Sequence, residues 1–156
     1  MKNLYLYKTE IGKITIIEEE NKIINVYFEG EDTPKDINIC ETNILKEAGR
    51  QLQEYFSGVR TKFELPLNPK GTDFMKDVWS ALEKIPYGET KTYGEIAKII
   101  GRDKAYRAVG LANNKNPIPI FIPCHRVIGA NGKLVGYAGG LNIKKQLLEL
   151  ENHTVL

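Results

Sequence analysis

The sequence predicts two domains: an α/β domain over residues 1–68 and a mainly α-helical winged helix-turn-helix domain over residues 69–156. Three observations support this division. Short β-branched runs followed by one helical stripe occupy the first half, and Pro66 and Pro69 mark a linker. Two short, capped helical patterns followed by a turn-forming Asn-Gly pair occupy the second half. A chain of 156 residues is long enough to bury a hydrophobic core.

The first half predicts strands and turns that lead to a single helix. Residues 4–7, 14–17 and 23–28 are expected to be strands, and the polar residues 29–38 an exposed connection. Thr42 is expected to cap a helix that ends at Ser57-Gly58, with its apolar stripe at Leu45, Ala48, Leu52, Tyr55 and Phe56. Residues 62–65 are expected to add a short strand. We expect this half to be a scaffold, with Cys40 packed in its core.

The second half begins with helices that carry their own start and stop signals. Residues 72–73 supply a cap for a helix whose inner face holds Phe74, Val78, Leu82 and Ile85, with Trp79 beside it in the core. Thr92 and Glu95 have the spacing of a capping box, and Gly101 is placed to end that helix. Another helix follows over residues 104–113, so the pair predicts a helix-turn-helix.

The second helix of this pair has an apolar side and a basic side. Core contacts are expected from Ala105, Ala108, Val109 and Ala112. The opposite side holds Lys104, Arg107, Leu111 and Asn114. A basic stripe at this place suits DNA, whose phosphates attract cations, although a solvated helix face would have the same pattern.

The segment Pro123-Cys124-His125-Arg126 places a thiol between a proline and an imidazole. Nearby cations lower a thiol's pKa, and the thiolate is the nucleophile, so His125 and Arg126 could activate Cys124. A lone cysteine in an apolar run is more often a small buried hydrophobe, and adjacent side chains point in different directions. The prolines in residues 116–120 stiffen the segment that leads to the cysteine.

The residues after the thiol predict a hairpin, a glycine loop and a last helix. Asn131-Gly132 suits a two-residue turn between strands at 127–128 and 134–135, which would form the wing. Residues 136–140 expose backbone N–H groups beside an aromatic ring, as a small pocket requires. The helix from Asn142 should place Ile143, Leu147 and Leu150 inward. Glu151 and His153 lie at its end, where a solvated surface is the default interpretation for both.

Composition and charge narrow the classes of protein. Hydrophobic residues make up 42% and charged residues 27%, which is ordinary for a soluble domain. No run is long enough for a transmembrane helix and the N-terminus lacks a signal-peptide pattern, so we expect no membrane partner and an intracellular location. The net charge is −3 over residues 1–69 and +5 over residues 70–156, which fits a polyanionic partner or simply solvating lysines. The spacing of the two cysteines and two histidines suggests neither a disulfide nor a metal site.

Three motifs together resemble one family. Pro-Cys-His-Arg-Val at 123–127, Asn-Pro-x-Pro-Ile at 116–120 and Tyr-Ala-Gly-Gly-Leu at 137–141 strongly resemble the O6-alkylguanine-DNA alkyltransferases. Arg-Ala-Val-Gly at 107–110 strengthens the match. The resemblance is close over residues 72–152 and looser over residues 1–68, where the family has an RNase H-like α/β domain.

The resemblance implies a single-turnover DNA repair reaction. The protein would bind duplex DNA, flip out O6-alkylguanine and move the alkyl group irreversibly to Cys124, which restores guanine. No cofactor is implied. The cysteines and histidines that bind structural zinc in some relatives are missing from the first half, so we expect no metal.

The resemblance also implies catalytic roles. Cys124 would be the acceptor, and His125 would take the thiol proton through a water while Glu151 orients that histidine. Asn116 would tie the helix-turn-helix to the active-site segment. Tyr93 would crowd the 3′ phosphate and donate its hydroxyl to guanine N3.

A DNA-binding mode follows from the same resemblance. Arg107 would enter through the minor groove and fill the space that the flipped base leaves. With the basic helix stripe, the expected DNA contacts are Arg107, Tyr93, Lys104, Asn114 and Arg126.

The alkyl pocket would be walled by Pro119 and Tyr137. The carbonyls of Cys124 and Val127 would accept the guanine amino group, and the N–H of Ala138 would donate to O6. Many relatives carry Ser where this chain has Ala138, so a hydroxyl contact is lost here.

Three alternatives stay open beside this interpretation. Alkyltransferase-like proteins bind alkylated guanine without a cysteine, and Cys124 argues against that class. A winged-helix regulator would bind undamaged sequence, and a cysteine hydrolase would need an oxyanion site beyond the glycine loop. Under the leading hypothesis we expect a monomer that binds double-stranded DNA in the cytoplasm, or in the nucleus of a eukaryote.

Overall fold

The fold was obtained as a computed structural model that describes residues 1–152 of the chain. The chain forms two compact units, Met1–Pro69 and a second unit that begins at Lys70. None of the helices among the described residues is long and apolar enough to cross a membrane. The strands and helices, in chain order, are β1 Lys2–Thr9, β2 Gly12–Glu19, β3 Lys22–Phe28, β4 Asn38–Ile39, α1 Asn43–Phe56, α2 Asp73–Glu83, β5 Lys91–Thr92, α3 Tyr93–Ile99, α4 Tyr106–Asn114, a 3-10 turn Cys124–Arg126, β6 Val127–Ile128 and α5 Leu141–Leu150.

The first unit is a four-stranded sheet with strand order β3-β2-β1-β4. The first three strands are antiparallel, as their short turns require, and β4 pairs in parallel with β1. Ile14 and Ile16 of β2 are fully buried because alternate residues of a strand share one face. The three predicted strands form, and the predicted stripe of α1 is buried throughout. Thr42 precedes α1 as predicted, but its hydroxyl makes no capping hydrogen bond.

Two predictions for the first unit were wrong. Residues 62–65 form no strand; instead Ile23 donates to the carbonyl of Pro66 and accepts from the N–H of Asn68, at 2.9 and 2.8 Å. A proline fits there because only its carbonyl is used. Cys40 is exposed and not in the core, because it follows the edge strand β4, where Ile39 is 74% exposed.

The helices of the second unit begin and end largely where the sequence predicts. The hydroxyl of Thr72 accepts from the N–H of Met75 and caps α2, and Trp79 is buried as expected. Thr92 and Glu95 form the complete capping box of α3, and Gly101 ends it with φ +76°, a conformation that suits glycine. In α4 the predicted core contacts Val109 and Ala112 are buried, but Ala108 is exposed.

The predicted hairpin after the thiol is wrong in its pairing. β6 pairs in parallel with β5, with Lys91 opposite Val127, and residues 134–135 form no strand. A turn does form at 129–133, where the N–H of Gly129 donates to the carbonyl of Lys133 at 2.9 Å. The carbonyl of Val135 then accepts side-chain donors from α3 and α5, so it is not available to a ladder with β6.

Helix α5 buries a different set of residues from the one predicted. Leu147 is buried, but Ile143 and Leu150 are only half-buried, and Lys144 is fully buried in their place. Glu151 is buried and not in solvent. His153 lies outside the described residues.

Candidate active site and DNA-binding surface

The segment that carries the thiol is held by hydrogen bonds to the side chain of one of its own residues, Asn116. The side chain of Asn116 donates to the carbonyl of Ile122 at 2.8 Å and accepts from the N–H of Ile118 at 3.0 Å. Ile120 has φ +75°, which is unusual for a β-branched residue and persists because the buried surroundings hold it. Asn116 therefore bridges the two ends of a tight, strained turn that delivers Cys124 into the 3-10 turn.

The thiol of Cys124 is buried and protonated at neutral pH. Burial raises its pKa from 9.0 to about 11, opposed by hydrogen bonds from Asn116 and Tyr137 and by the ammonium of Lys144. A protonated thiol is a poor nucleophile, so Cys124 could react as one only with a base that removes its proton.

His125 is fully buried and is oriented by one contact. Its Nε2 lies 2.8 Å from Oε2 of Glu151. Because an ionised carboxylate only accepts, Nε2 carries the hydrogen, and Nδ1 presents a lone pair when the ring is neutral. Burial lowers the pKa of His125 despite the opposing effect of Glu151, so the ring is neutral at pH 7. Among residues 1–152, no protein group makes a hydrogen bond to Nδ1. The ring is thus a neutral base with one free lone pair.

Glu151 is held ionised by several donors. Besides His125, it accepts from Nε and Nη2 of Arg126 at 2.8 and 3.0 Å and from the N–H of Gly88 at 3.2 Å. Burial by itself would raise the pKa of Glu151, but these hydrogen bonds and charges keep it well below its ordinary value. The carboxylate therefore remains an acceptor at any pH where the protein works.

The prediction that Arg126 contacts DNA is wrong. Its guanidinium is buried, donates to Glu151 and also donates from Nη1 to the carbonyl of Ile85 at 2.7 Å. The guanidinium also lies over the ring of Tyr87, 5.8 Å from its centroid. Arg126 is a structural partner of the Glu151 carboxylate, because its donors point into the unit and away from solvent.

Sequence reasoning missed Lys144. Its ammonium is fully buried and donates to the carbonyls of Val135 and Gly136 at 2.9 and 3.4 Å. Burial lowers the pKa of Lys144 to about 8, opposed by attraction to Cys124. The one available signal was its spacing of three and four residues from Leu147 and Leu148, which places it on the buried face of α5.

Asn113 was also missed. It is buried, and its side-chain amide donates to the carbonyl of Cys124 at 3.4 Å. The contact links α4 directly to the thiol-bearing turn.

The hydroxyl of Tyr93 faces the pocket segment. It donates to the carbonyl of Val135 at 2.9 Å, and burial raises the pKa of Tyr93 to about 12. Among the expected pocket residues, Pro119 and Val127 are buried, Tyr137 is half-buried and Ala138 is exposed. Asn114 packs closely against Gly136, because a Cβ added to Gly136 would lie only 2.8 Å from Nδ2 of Asn114.

The outer face of α4 is exposed and mixed in character. Three polar residues are exposed as expected: Lys104 just before the helix, and Arg107 and Asn114 on it. Leu111, which lies between Arg107 and Asn114 in the sequence, is 64% exposed. The Arg107 guanidinium lies over the ring of Tyr106, 5.8 Å from its centroid. This face is free to meet a partner.

Comparisons with known proteins agree across the whole chain. Residues 73–153 match the family described as 6-O-methylguanine DNA methyltransferase, DNA binding domain, and residues 4–69 match its ribonuclease-like domain. The chain is 53% identical to the methylated-DNA–protein-cysteine methyltransferase of Methanosarcina acetivorans, over 94% of this chain and 96% of that one. It is 50% identical to the constitutive enzyme of Bacillus subtilis, over 92% of each chain. The crystal structure of Mycobacterium tuberculosis OGT in complex with DNA is similar with a TM-score of 0.90 and 46% identity, over 96% of this chain and 92% of that one.

Proposed function

Because this chain belongs to the 6-O-methylguanine DNA methyltransferase family, with its ribonuclease-like and DNA-binding domains, we propose which of its residues perform the family's reaction. The protein is a DNA repair methyltransferase. It binds DNA and transfers an alkyl group from O6 of guanine to one of its own cysteines, in a single irreversible turnover.

Cys124 is the acceptor. Its sulfur attacks the alkyl carbon, the bond from that carbon to guanine O6 breaks, and the oxygen keeps the electron pair. The thiol proton passes through a water to Nδ1 of His125. The departing guanine anion then takes up one proton and the imidazolium releases one, so that neutral guanine, neutral histidine and a thioether remain. The observation that carries this assignment is the buried His125–Glu151 pair, in which Nε2 is committed to the carboxylate and Nδ1 has no protein partner among the described residues.

Tyr93 and Asn116 assist from either side. The raised pKa of Tyr93 keeps its hydroxyl protonated, so it can donate to guanine N3 and make the base a better leaving group. This requires the hydroxyl to leave the carbonyl of Val135, which the ammonium of Lys144 continues to satisfy. Asn116 holds the turn that presents the thiol.

The flipped base occupies a pocket beside the thiol-bearing turn. Pro119 and Tyr137 form its walls. The carbonyls of Cys124 and Val127 accept the guanine amino group, and the N–H of Ala138 donates to O6. The amide of Asn113 supports this assignment, because it fixes the direction of the Cys124 carbonyl.

DNA lies against the exposed face of α4. We propose that α3, α4 and the 129–133 turn act as a winged helix-turn-helix that approaches the minor groove. Arg107 fills the space left by the base, Lys104 and Asn114 contact the backbone, and Tyr93 crowds the 3′ phosphate. The exposure of Lys104, Arg107 and Asn114 and the positive charge of this half support the assignment.

We propose that residues 1–68 are the scaffold and residues 69–156 the alkyltransferase domain. The protein acts as a monomer in the cytoplasm, or in the nucleus of a eukaryote, without metal or cofactor.

A mass measurement tests the site. After incubation with duplex DNA containing one O6-methylguanine, the peptide that contains Cys124 should gain one methyl group in stoichiometric yield. Cys40→Ser should behave like the wild type, since Cys40 is exposed in the other unit, and Cys124→Ser should stay unmodified. A methyl group on any other peptide would show the assignment to be wrong. Tight binding to the lesion with an unmodified thiol would favour a non-enzymatic binding protein.

A further inference from the structure

We infer that Leu111 and Tyr106 flank Arg107 as an apolar wedge that enters the base stack where the damaged nucleotide leaves it. The inference rests on the proposed function, in which the exposed face of α4 meets DNA. It adds two contacts that set the preference for paired, stacked lesions.

Leu111 is the centre of this wedge. It lies one helical turn after Arg107 on the same side of α4, opposite the buried Val109 and Ala112. Its side chain is 64% exposed, although a leucine gains free energy from burial. Most of this side chain is therefore available to a partner that binds the outer face of α4.

Tyr106 restricts the side chain of Arg107 before DNA binds. Its ring is half exposed at the start of α4, and the Arg107 guanidinium lies 5.8 Å from the ring centroid. A cation over an aromatic face is attracted to it, which restricts the long arginine side chain before DNA arrives. Restricting a flexible side chain in advance lowers the entropy that binding must remove.

The chemistry of a flipped base explains why apolar groups belong here. When a nucleotide leaves the duplex, its neighbours lose a stacking partner and its former complement loses hydrogen bonds. A guanidinium can replace hydrogen bonds, but lost stacking is restored by apolar or aromatic surface. Leucine and similar side chains are inserted between base steps by many proteins that bind the minor groove.

The partner is DNA because the apolar pair lies within a cationic surface. Lys104 and Arg107 are exposed on the same face, and this half of the chain carries a net charge of +5. A cationic rim around an apolar centre matches phosphates around a base stack.

The test compares three substrates. We would measure single-turnover rates of transfer from O6-methylguanine paired in a duplex, from the same lesion in an unpaired bulge, and from free O6-benzylguanine. Leu111→Ala and Tyr106→Ala should each lower the rate on the paired duplex roughly tenfold, the size of one stacking contact. The loss should be smaller on the bulge, where unstacking has already occurred, and should not extend to the free base.

Two control variants isolate the wedge. Tyr106→Phe keeps the ring and should behave like the wild type. Val59→Ala removes an apolar side chain that is even more exposed, at 76%, from the first unit and should change nothing.

The outcomes separate the inference from the function on which it rests. Equal losses on all three substrates, or no loss on the paired duplex, would overturn the wedge. If Arg107→Ala loses duplex repair while Leu111→Ala does not, the wedge fails and the proposed DNA face stands. If Arg107→Ala also retains duplex repair, the assignment of α4 to DNA fails with it.

Discussion

Replacing the buried Lys144 by methionine should weaken the reaction much more than it weakens the fold. The substitution keeps a long apolar side chain and removes a fully buried ammonium. That ammonium bonds the carbonyls of Val135 and Gly136 and is the cation that lowers the pKa of Cys124. Lys144→Met therefore separates electrostatic activation from packing.

The effect on stability is a balance of two terms. Burial moves the pKa of Lys144 from 10.5 to about 8, which corresponds to about 3 kcal/mol of cost for the charged form in the folded state. Methionine removes that cost but leaves the carbonyl of Gly136 without this donor, a loss of about 1–3 kcal/mol. The carbonyl of Val135 retains the hydroxyl of Tyr93. At pH 7 the two terms should nearly cancel.

The pH dependence of stability shows whether the charge of Lys144 stabilises or destabilises the fold. Because the folded-state pKa of Lys144 is lower than the unfolded value, the unfolded chain binds more protons between about pH 8 and pH 10.5. The free energy of unfolding of the wild type therefore increases as the pH rises through this window, because the buried ammonium loses its charge. Between pH 7.5 and pH 9.5 its free energy of unfolding should increase by about 2 kcal/mol relative to Lys144→Met.

The rate should respond in a different way. The ammonium of Lys144 lowers the pKa of the Cys124 thiol, so its removal should slow transfer from free O6-benzylguanine about tenfold or more at pH 7, where Lys144 is charged. The wild-type rate should approach that of Lys144→Met as the pH rises through about 8, because the ammonium of Lys144 loses its proton there.

Urea denaturation at the two pH values and single-turnover rates across pH 7–10 measure both effects. Lys145→Met is the matched control, since Lys145 is exposed on the same helix and pairs with Glu149 at 3.9 Å. The reasoning is refuted if Lys144→Met shows the wild-type change of stability with pH, or if its rate profile coincides with that of Lys145→Met.

Three further predictions follow from the same contacts. Arg126→Met should lower the free energy of unfolding, measured by urea denaturation, by about 3–5 kcal/mol, because it leaves Glu151 buried with fewer donors. Arg50 is exposed, so Arg50→Met should change the free energy of unfolding little. Equal effects of the two substitutions would contradict the burial argument. Tyr93→Phe should slow transfer by about a hundredfold. Its stability should change little, since Lys144 still donates to the carbonyl of Val135. An unchanged transfer rate would exclude Tyr93 as a donor to the base. Cys124→Ala should bind lesion-containing duplex like the wild type in a gel-shift assay and transfer nothing; any residual stoichiometric repair would mean another acceptor.

Much of the fold follows from local sequence because its signals act over short distances. Thr92 and Glu95 cap α3 across three residues, and Gly101 ends it through its own backbone freedom. The stripe of α1 is equally local, since residues three and four apart share a helix face. The motif around Cys124 and its resemblance to one family likewise pointed to the reaction without any structure.

Tertiary structure alone decided which charged side chains are buried and what they do there. Arg126 looked like a DNA contact, but its partners are Glu151 and Ile85, 25 and 41 residues away. Lys144 was not singled out from the sequence, and Cys40 was predicted to lie in the core. Burying a charge is favourable only where distant groups supply its hydrogen bonds, and no local pattern records their positions.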